Sequence, residues 1–193
     1  MTTLRSLSDI RTFFRSQRAP TFYVCTTPYN LLGLRRWVND LYFVAAGDFF
    51  AGDLPGSYAP HGLDPGAGDS FERMNARLLA APGVQRFIAA KGRGGRALFL
   101  MFDEENEAQA RTLGLEVCLP PAALRRRLDD KLETTRMAEA AGIRCAPHVL
   151  GRVDGYPTLR RLAGHLGPDL VIQLPFGDSG STTFFVSDES DHD

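Results

Sequence analysis

Long apolar runs are missing from this 193-residue sequence, and nothing in it approaches the roughly 18 residues a membrane-spanning helix needs. The segment Met1–Arg18 sets Arg5, Arg11, Arg15 and Arg18 among Leu4, Leu7, Ile10, Phe13 and Phe14. It lacks the continuous apolar core of a secretory signal, and its apolar residues recur at threes and fours, so a surface helix is expected and the cytoplasm follows by default. Charge of one sign is also lacking. A net charge of −1 supplies no general pull toward nucleic acid or an anionic membrane, so neither is expected as a partner. Cysteine is scarce: Cys25, Cys118 and Cys145 are odd in number and far apart, each among β-branched or apolar residues, which argues against a disulfide framework or a zinc site and leaves three reduced core thiols as the expectation. The histidines, His61, His148, His165 and His192, show no metal-ligand spacing, and no metal site is expected from them.

What is present is an ordinary globular composition, 44% hydrophobic and 23% charged, with room for one large domain or a small domain and part of another. The run Thr21-Phe22-Tyr23-Val24-Cys25 reads as a strand, Thr26 to Asn30 as a break, Leu31 to Val38 as a helix and Leu41 to Ala46 as a second strand. From Ala51 to Ser70 glycine, proline and aspartate collect in a loop too long to be a simple turn, read as a surface excursion with a lid as the alternative. Phe71 to Ala90 is helical with an interruption near Pro82-Gly83, Ala97 to Phe102 is a third strand, and Leu115 to Leu119 a fourth. Strands alternating with helices predict a parallel sheet with helices packed on it.

Two clusters in this half tempt functional readings. Lys91-Gly92-Arg93-Gly94-Gly95-Arg96 precedes a strand, whereas a dinucleotide fingerprint follows one, so a turn with solvated arginines is expected. Asp103-Glu104-Glu105 stands at the carboxyl end of a strand, where open α/β sheets place ligands, but it also fits a helix cap followed by first-turn acids, and the cap is preferred.

The second half is organised around Asp169 to Val186. An apolar run, Leu170-Val171-Ile172, leads through Gln173-Leu174-Pro175-Phe176 into Gly177-Asp178-Ser179-Gly180-Ser181-Thr182-Thr183 and then Phe184-Phe185-Val186, a hairpin with a glycine-rich tip. Gly177 and Gly180 free the backbone to point N–H groups at an anion, and Ser179, Ser181, Thr182 and Thr183 add hydroxyl donors, although an ordinary turn has the same composition. It is not the helix-opening phosphate loop, because Ser181 rather than lysine follows Gly180. Upstream, Ala122 to Ala141 has helical periodicity and stops at Gly142, with Lys131 near its start; Ile143 to Leu150 reads as extended and Tyr156 to Leu166 as helical. Lys131 is either a solvated lysine paired to Asp130 and nearby acids or a point charge for a phosphate.

Taken in order, Asp130-Lys131, Ala141-Gly142-Ile143 and the stretch Val171 to Phe185 resemble the ATP-grasp ligases, in the branch of biotin-carboxylase-like and peptide-ligase-like proteins. The resemblance spans nearly the whole chain. It implies an α/β fold with a Rossmann-like pre-ATP-grasp domain over residues 1–121 and the first part of an ATP-grasp domain over 122–193. It also implies ATP as cofactor, activation of a small-molecule or peptide carboxylate as an acyl phosphate, and attack on it by an amine. Carried onto this sequence, Lys131 matches the lysine that approaches the nucleotide phosphates, and Gly177, Asp178, Ser179, Gly180, Ser181, Thr182 and Thr183 match the loop that closes over them. No catalytic residue is assigned. Many members pair through the first domain, so a homo-oligomer is admitted, although no dimer face is marked.

Two departures qualify these expectations. Gln173 stands where many relatives place a second phosphate-binding lysine, and an amide brings no positive charge. After Val186 only the polar tail Ser187 to Asp193 follows, without the later adenine-binding strand and the acidic and asparagine ligands that hold magnesium, so the chain is expected to be the inactive N-terminal part of a longer ligase. The alternative is a non-catalytic module that binds a nucleotide or a partner. A Rossmann-type oxidoreductase is disfavoured, because Thr26-Thr27-Pro28 occupies the place of the glycine fingerprint after the first strand.

Overall fold

Thr21–Cys25 (β1) is buried at every position, which a strand achieves only at the centre of a sheet covered on both faces. In the computed structural model, which describes residues 3–63, 68–92, 94–177 and 180–191, this strand is the middle of a five-stranded parallel sheet. The chain divides into two compact units, Met1–Ala123 and Leu124–Asp193.

In the first unit α1 (Leu7–Ser16) precedes β1, and β2 (Leu41–Ala45), β3 (Ser57–Tyr58), α2 (Phe71–Ala80), α3 (Pro82–Ala90), β4 (Arg96–Phe99), α4 (Glu104–Thr112) and β5 (Glu116–Val117) follow. The strand order β3-β2-β1-β4-β5, every pair parallel, gives the α/β, Rossmann-like architecture. Alternation within each strand divides the core. Phe22, Val24, Val44, Ala97 and Phe99 point to the side packed by Met74, Leu78 and Leu79 of α2 and Val84 and Ile88 of α3, while Tyr23, Cys25, Leu41, Phe43 and Ala45 meet Leu31, Leu34 and Val38 on the other. Asp103 caps α4, its Oδ1 accepting the Asn106 N–H at 2.9 Å.

Several elements differ from the sequence reading. Tyr29–Arg36 is a 3-10 helix rather than an α-helix, with Gly33 in its middle. The long loop after β2 contributes β3, a fifth strand of two residues whose Ser57 and Tyr58 pair with Phe43 and Val44. Residues 64–67 of that loop lie outside the described residues. The third strand ends at Phe99 rather than Phe102, and the fourth is only Glu116–Val117. Consequently only Cys25 is a core thiol: Cys118 is exposed and Cys145 half-buried. The glycine-rich cluster before β4 is a turn; Lys91 Nζ stands 4.8 Å from the Tyr42 ring centre, Arg96 Nη2 donates to Gln17 Oε1 at 3.2 Å, and Arg93 lies outside the described residues.

α5 (Ala122–Asp129) closes the first unit and continues into the second, where α6 (Lys131–Ala140), α7 (Tyr156–Ala163), β6 (Leu170–Gln173) and β7 (Thr183–Val186) follow. The single helix expected over 122–141 is therefore two, because Asp130 leaves the helical conformation (ψ 108°) and caps α6. The extended segment expected from Ile143 forms no strand. α7 ends in a 3-10 turn, Gly164–Leu166, and Arg160 holds the next turn by donating to Gly167 O at 3.1 Å and Pro168 O at 3.0 Å. Leu159 of α7, Leu170 of β6 and Val186 of β7 form the small core of this unit. The polar tail after β7 folds back, with the Ser187 N–H donating to Asp191 Oδ2 at 2.8 Å. Among the described residues no helix is long and apolar enough to cross a membrane.

Candidate functional site

In the second unit β6 and β7 pair antiparallel in the register Leu170↔Val186, Val171↔Phe185, Ile172↔Phe184 and Gln173↔Thr183. The ladder is prolonged by Leu174 N–H donating to Thr182 O at 3.1 Å, and the Thr183 N–H closes a tight turn on Gly180 O at 3.0 Å. The loop therefore opens from a fixed base. Gly180 takes φ +78° and Gly177 φ +142°, conformations that side-chain-bearing residues rarely adopt. At Gly177 there is also no room: a Cβ would stand 2.0 Å from Thr182 Oγ1. Asp178 and Ser179 lie outside the described residues.

The first turn of α6 is joined to this loop twice. Lys131 N–H donates to Pro175 O at 2.9 Å, and its ammonium Nζ donates to Gly177 O at 2.8 Å. The Asp130 carboxylate is occupied with helix capping, its Oδ1 accepting from Leu132 N at 2.9 Å and Glu133 N at 3.3 Å. A carboxylate so placed complements the helix terminus and leaves the lysine to the loop.

The structure brings Lys131, Gly177, Thr182 and Thr183 of the expected residues into one neighbourhood. Gln173 Nε2 donates to Thr183 Oγ1 at 3.3 Å across the hairpin, so the amide and one loop hydroxyl engage each other. Ser181 is exposed, and Thr182 and Thr183 are half-buried. Pro175, whose carbonyl receives the Lys131 N–H, is a participant the sequence reading passed over; its position beside Gly177 was the only signal for it.

Among the described residues no group of three or more His, Cys, Asp or Glu is arranged to hold a metal ion, so the magnesium implied with ATP finds no donor set among them. In the first unit Asp103 and Glu105 line an open depression of about 530 Å³, whose cations are Arg73 and Arg77. Both guanidiniums are paired with Asp69, Arg73 at 3.3 Å and Arg77 at 2.5 Å, which leaves that depression poorly suited to an anion.

Neither the models of known protein families nor the curated proteins provide a match to this chain.

Proposed function

We propose that the second unit is the phosphate-facing part of an ATP-dependent carboxylate–amine ligase, in which the nucleotide phosphates lie between Lys131 and the loop from Gly177 to Thr183. The reaction this reading assigns starts with a substrate carboxylate oxygen attacking the γ-phosphorus, with ADP leaving. An amine then attacks the acyl carbon, and inorganic phosphate departs with the electrons of the broken C–O bond.

The reading is supported chiefly by the Lys131 Nζ contact with Gly177 O, which joins a helix start to a glycine-rich tip 46 residues away. A carbonyl is a modest partner for an ammonium, and phosphate oxygens carry more negative charge, so exchanging one for the other favours the nucleotide. Backbone N–H groups freed by glycine and the hydroxyls of Ser181, Thr182 and Thr183 would complete the anion shell.

A second reading, a nucleotide- or partner-binding module without turnover, is favoured by Gln173. Its amide adds no charge and is already held by Thr183.

The experiment is an NMR titration of the full chain with ATP, following the backbone amides of 174–183 and the Lys131 ammonium. Saturable shifts there, weakened about ten- to a hundredfold by Lys131→Met, are expected from the loss of a charged hydrogen bond of about 1.5–3 kcal/mol. Shifts confined to other regions, or unchanged in Lys131→Met, would overturn both readings of the loop as a nucleotide site.

A further inference from the structure

The near-zero net charge conceals a segregation. Residues 1–38 carry six arginines, Arg5, Arg11, Arg15, Arg18, Arg35 and Arg36, against one acid, Asp9, a local charge of +5 in a chain whose total is −1. Exposed charges are screened beyond a Debye length of about 8 Å at physiological salt, so a large surface responds to the charges that face it and not to the total. The argument against an anionic membrane holds for the chain as a whole and fails for this stretch.

α1 lies within it. Ser6 caps the helix, its Oγ accepting the Asp9 N–H at 3.1 Å, and an Asp9 carboxylate oxygen accepts the Arg5 N–H at 2.9 Å. The one acid of the stretch is thus taken up at the helix start. Leu7, Ile10, Phe13 and Phe14 recur at threes and fours and share one side of α1, with Leu4 just before it. A helix of a globular domain normally buries such a stripe in the core. α1 buries none of its residues: Leu7 is 73% exposed, Phe14 41%, Phe13 39% and Leu4 38%. Its ties to the rest of the unit run instead through Arg11, whose guanidinium stands 4.9 Å from the Trp37 ring centre, through Arg15 O, which accepts from Asn39 Nδ2, and through Gln17 Oε1, which accepts from Arg96 Nη2 at 3.2 Å.

Arginines border the stripe. Arg11 follows Leu7 by one helical turn and Arg15 follows Arg11 by another, while Arg5 and Arg18 stand just beyond the two ends of the helix. Among the described residues none of these four is ion-paired with a carboxylate. An arginine can lay its aliphatic stem along apolar surroundings and keep its charged head in a polar layer. An uncovered apolar stripe edged by unpaired arginines, with a half-buried tryptophan beside it, complements a medium that is apolar below and anionic above. The headgroup boundary of an anionic bilayer is such a medium. A nucleic acid would engage the arginines and leave Leu7, Phe13 and Phe14 in water.

We infer that α1 docks the protein on anionic lipid surfaces, with the stripe of Leu7, Ile10, Phe13 and Phe14 in the headgroup boundary and Arg5, Arg15 and Arg18 on lipid phosphates and carboxylates. The attachment is peripheral, because ten residues of helix reach only about 15 Å. It rests on neither reading of the loop in the second unit.

The test is sedimentation of the full chain with vesicles of phosphatidylcholine alone and of phosphatidylcholine with 30% phosphatidylserine, read together with the fluorescence of Trp37, the single tryptophan. Partition onto the anionic vesicles is expected to be at least tenfold stronger than onto the neutral ones, to weaken in 0.5 M salt, and to shift the Trp37 emission to the blue. Arg15→Gln and Arg18→Gln should each weaken it about fivefold, the worth of one basic residue near such a surface. Leu7→Gln and Phe14→Gln should each weaken it about tenfold. All four positions are exposed, so the variants keep the fold, which circular dichroism checks. No enrichment on the anionic vesicles at 1 mM lipid, unchanged partition in Leu7→Gln and Phe14→Gln, or tighter binding to a duplex oligonucleotide than to the vesicles overturns the assignment. So does a dimer in sedimentation velocity that Leu7→Gln and Phe14→Gln dissociate, since the stripe would then belong to a second copy.

Discussion

The ammonium of Lys131 rests 2.8 Å from the carbonyl oxygen of Gly177, so one helix start and one loop tip are tied by a single charged hydrogen bond. The loop's shape depends on the other end of that bond. Gly177 needs both its positive φ and its missing side chain, because Thr182 Oγ1 fills the space a Cβ would take.

Gly177→Ala is therefore expected to cost about 1–3 kcal/mol, the usual range for forcing a side chain into a disfavoured backbone region. Hydrogen exchange would register it as faster exchange of the Leu174 and Thr183 amides, which donate at the base of the loop, and Thr182→Ala in the same chain should return part of the protection. Unchanged exchange in Gly177→Ala would show that the loop does not rely on this close approach.

Asp130→Ala should remove the cap of α6, leaving the N–H groups of Leu132 and Glu133 without their acceptor. The expected loss is about 1 kcal/mol by denaturant titration, within the ordinary range for cap removal. Asp130→Asn, which keeps an acceptor oxygen, should recover most of it.

Cys25 predicts an alkaline decline in stability. Its thiol pKa is raised to about 12 by burial, while in the unfolded chain it lies near the ordinary value of 9.0. Between those values the unfolded state has shed a proton that the native state keeps. The contribution is thus complete below about pH 9 and falls by about 1.4 kcal/mol per pH unit above it, until the folded thiol ionises. Tyr23, raised chiefly by burial, adds to the same decline. Urea titrations from pH 7 to 10.5 should show a shallower fall in Cys25→Ala than in the parent. Thiol reagents at pH 8 should modify exposed Cys118 well before Cys25.

Leu159 and Phe185 separate the two sides of the second unit's hairpin. Leu159 is 4% exposed in the core with Leu170 and Val186, whereas Phe185 is 75% exposed. Leu159→Ala is expected to cost about 2–5 kcal/mol and Phe185→Ala to stay within about 0.5 kcal/mol. Comparable losses for both would mean that the outer face of the hairpin is covered in solution.

The parts legible in the sequence were those whose pattern is set by burial. β1 and β2 are β-branched and aromatic runs and β4 carries the apolar run Ala97-Leu98-Phe99, and the loop between β6 and β7 is marked by Gly177 and Gly180 where the backbone leaves ordinary angles. The Lys131 neighbourhood was legible as residue types and not as a bond. β3 was illegible because two residues inside a glycine- and proline-rich excursion have no periodicity, and their strand character comes from pairing with Phe43 and Val44. The split at Asp130 carried a signal that periodicity overrode: aspartate prefers a cap to a helix interior. Cys118 looked like core because a fourth strand was drawn through it, while β5 stops at Val117.

β6 and β7 form a sheet of only two strands, so among the described strands each keeps one lateral row of backbone N–H and C=O groups unmatched. Val171 and Phe185, opposite each other in register, stand 58% and 75% exposed. Such a ribbon is a template for any extended segment that arrives alongside, and in concentrated solution that segment can be the same ribbon of another molecule. At high protein concentration this hairpin is therefore the expected site of any pairing between copies, and Val171→Lys or Phe185→Lys is expected to reduce it without disturbing the unit's core.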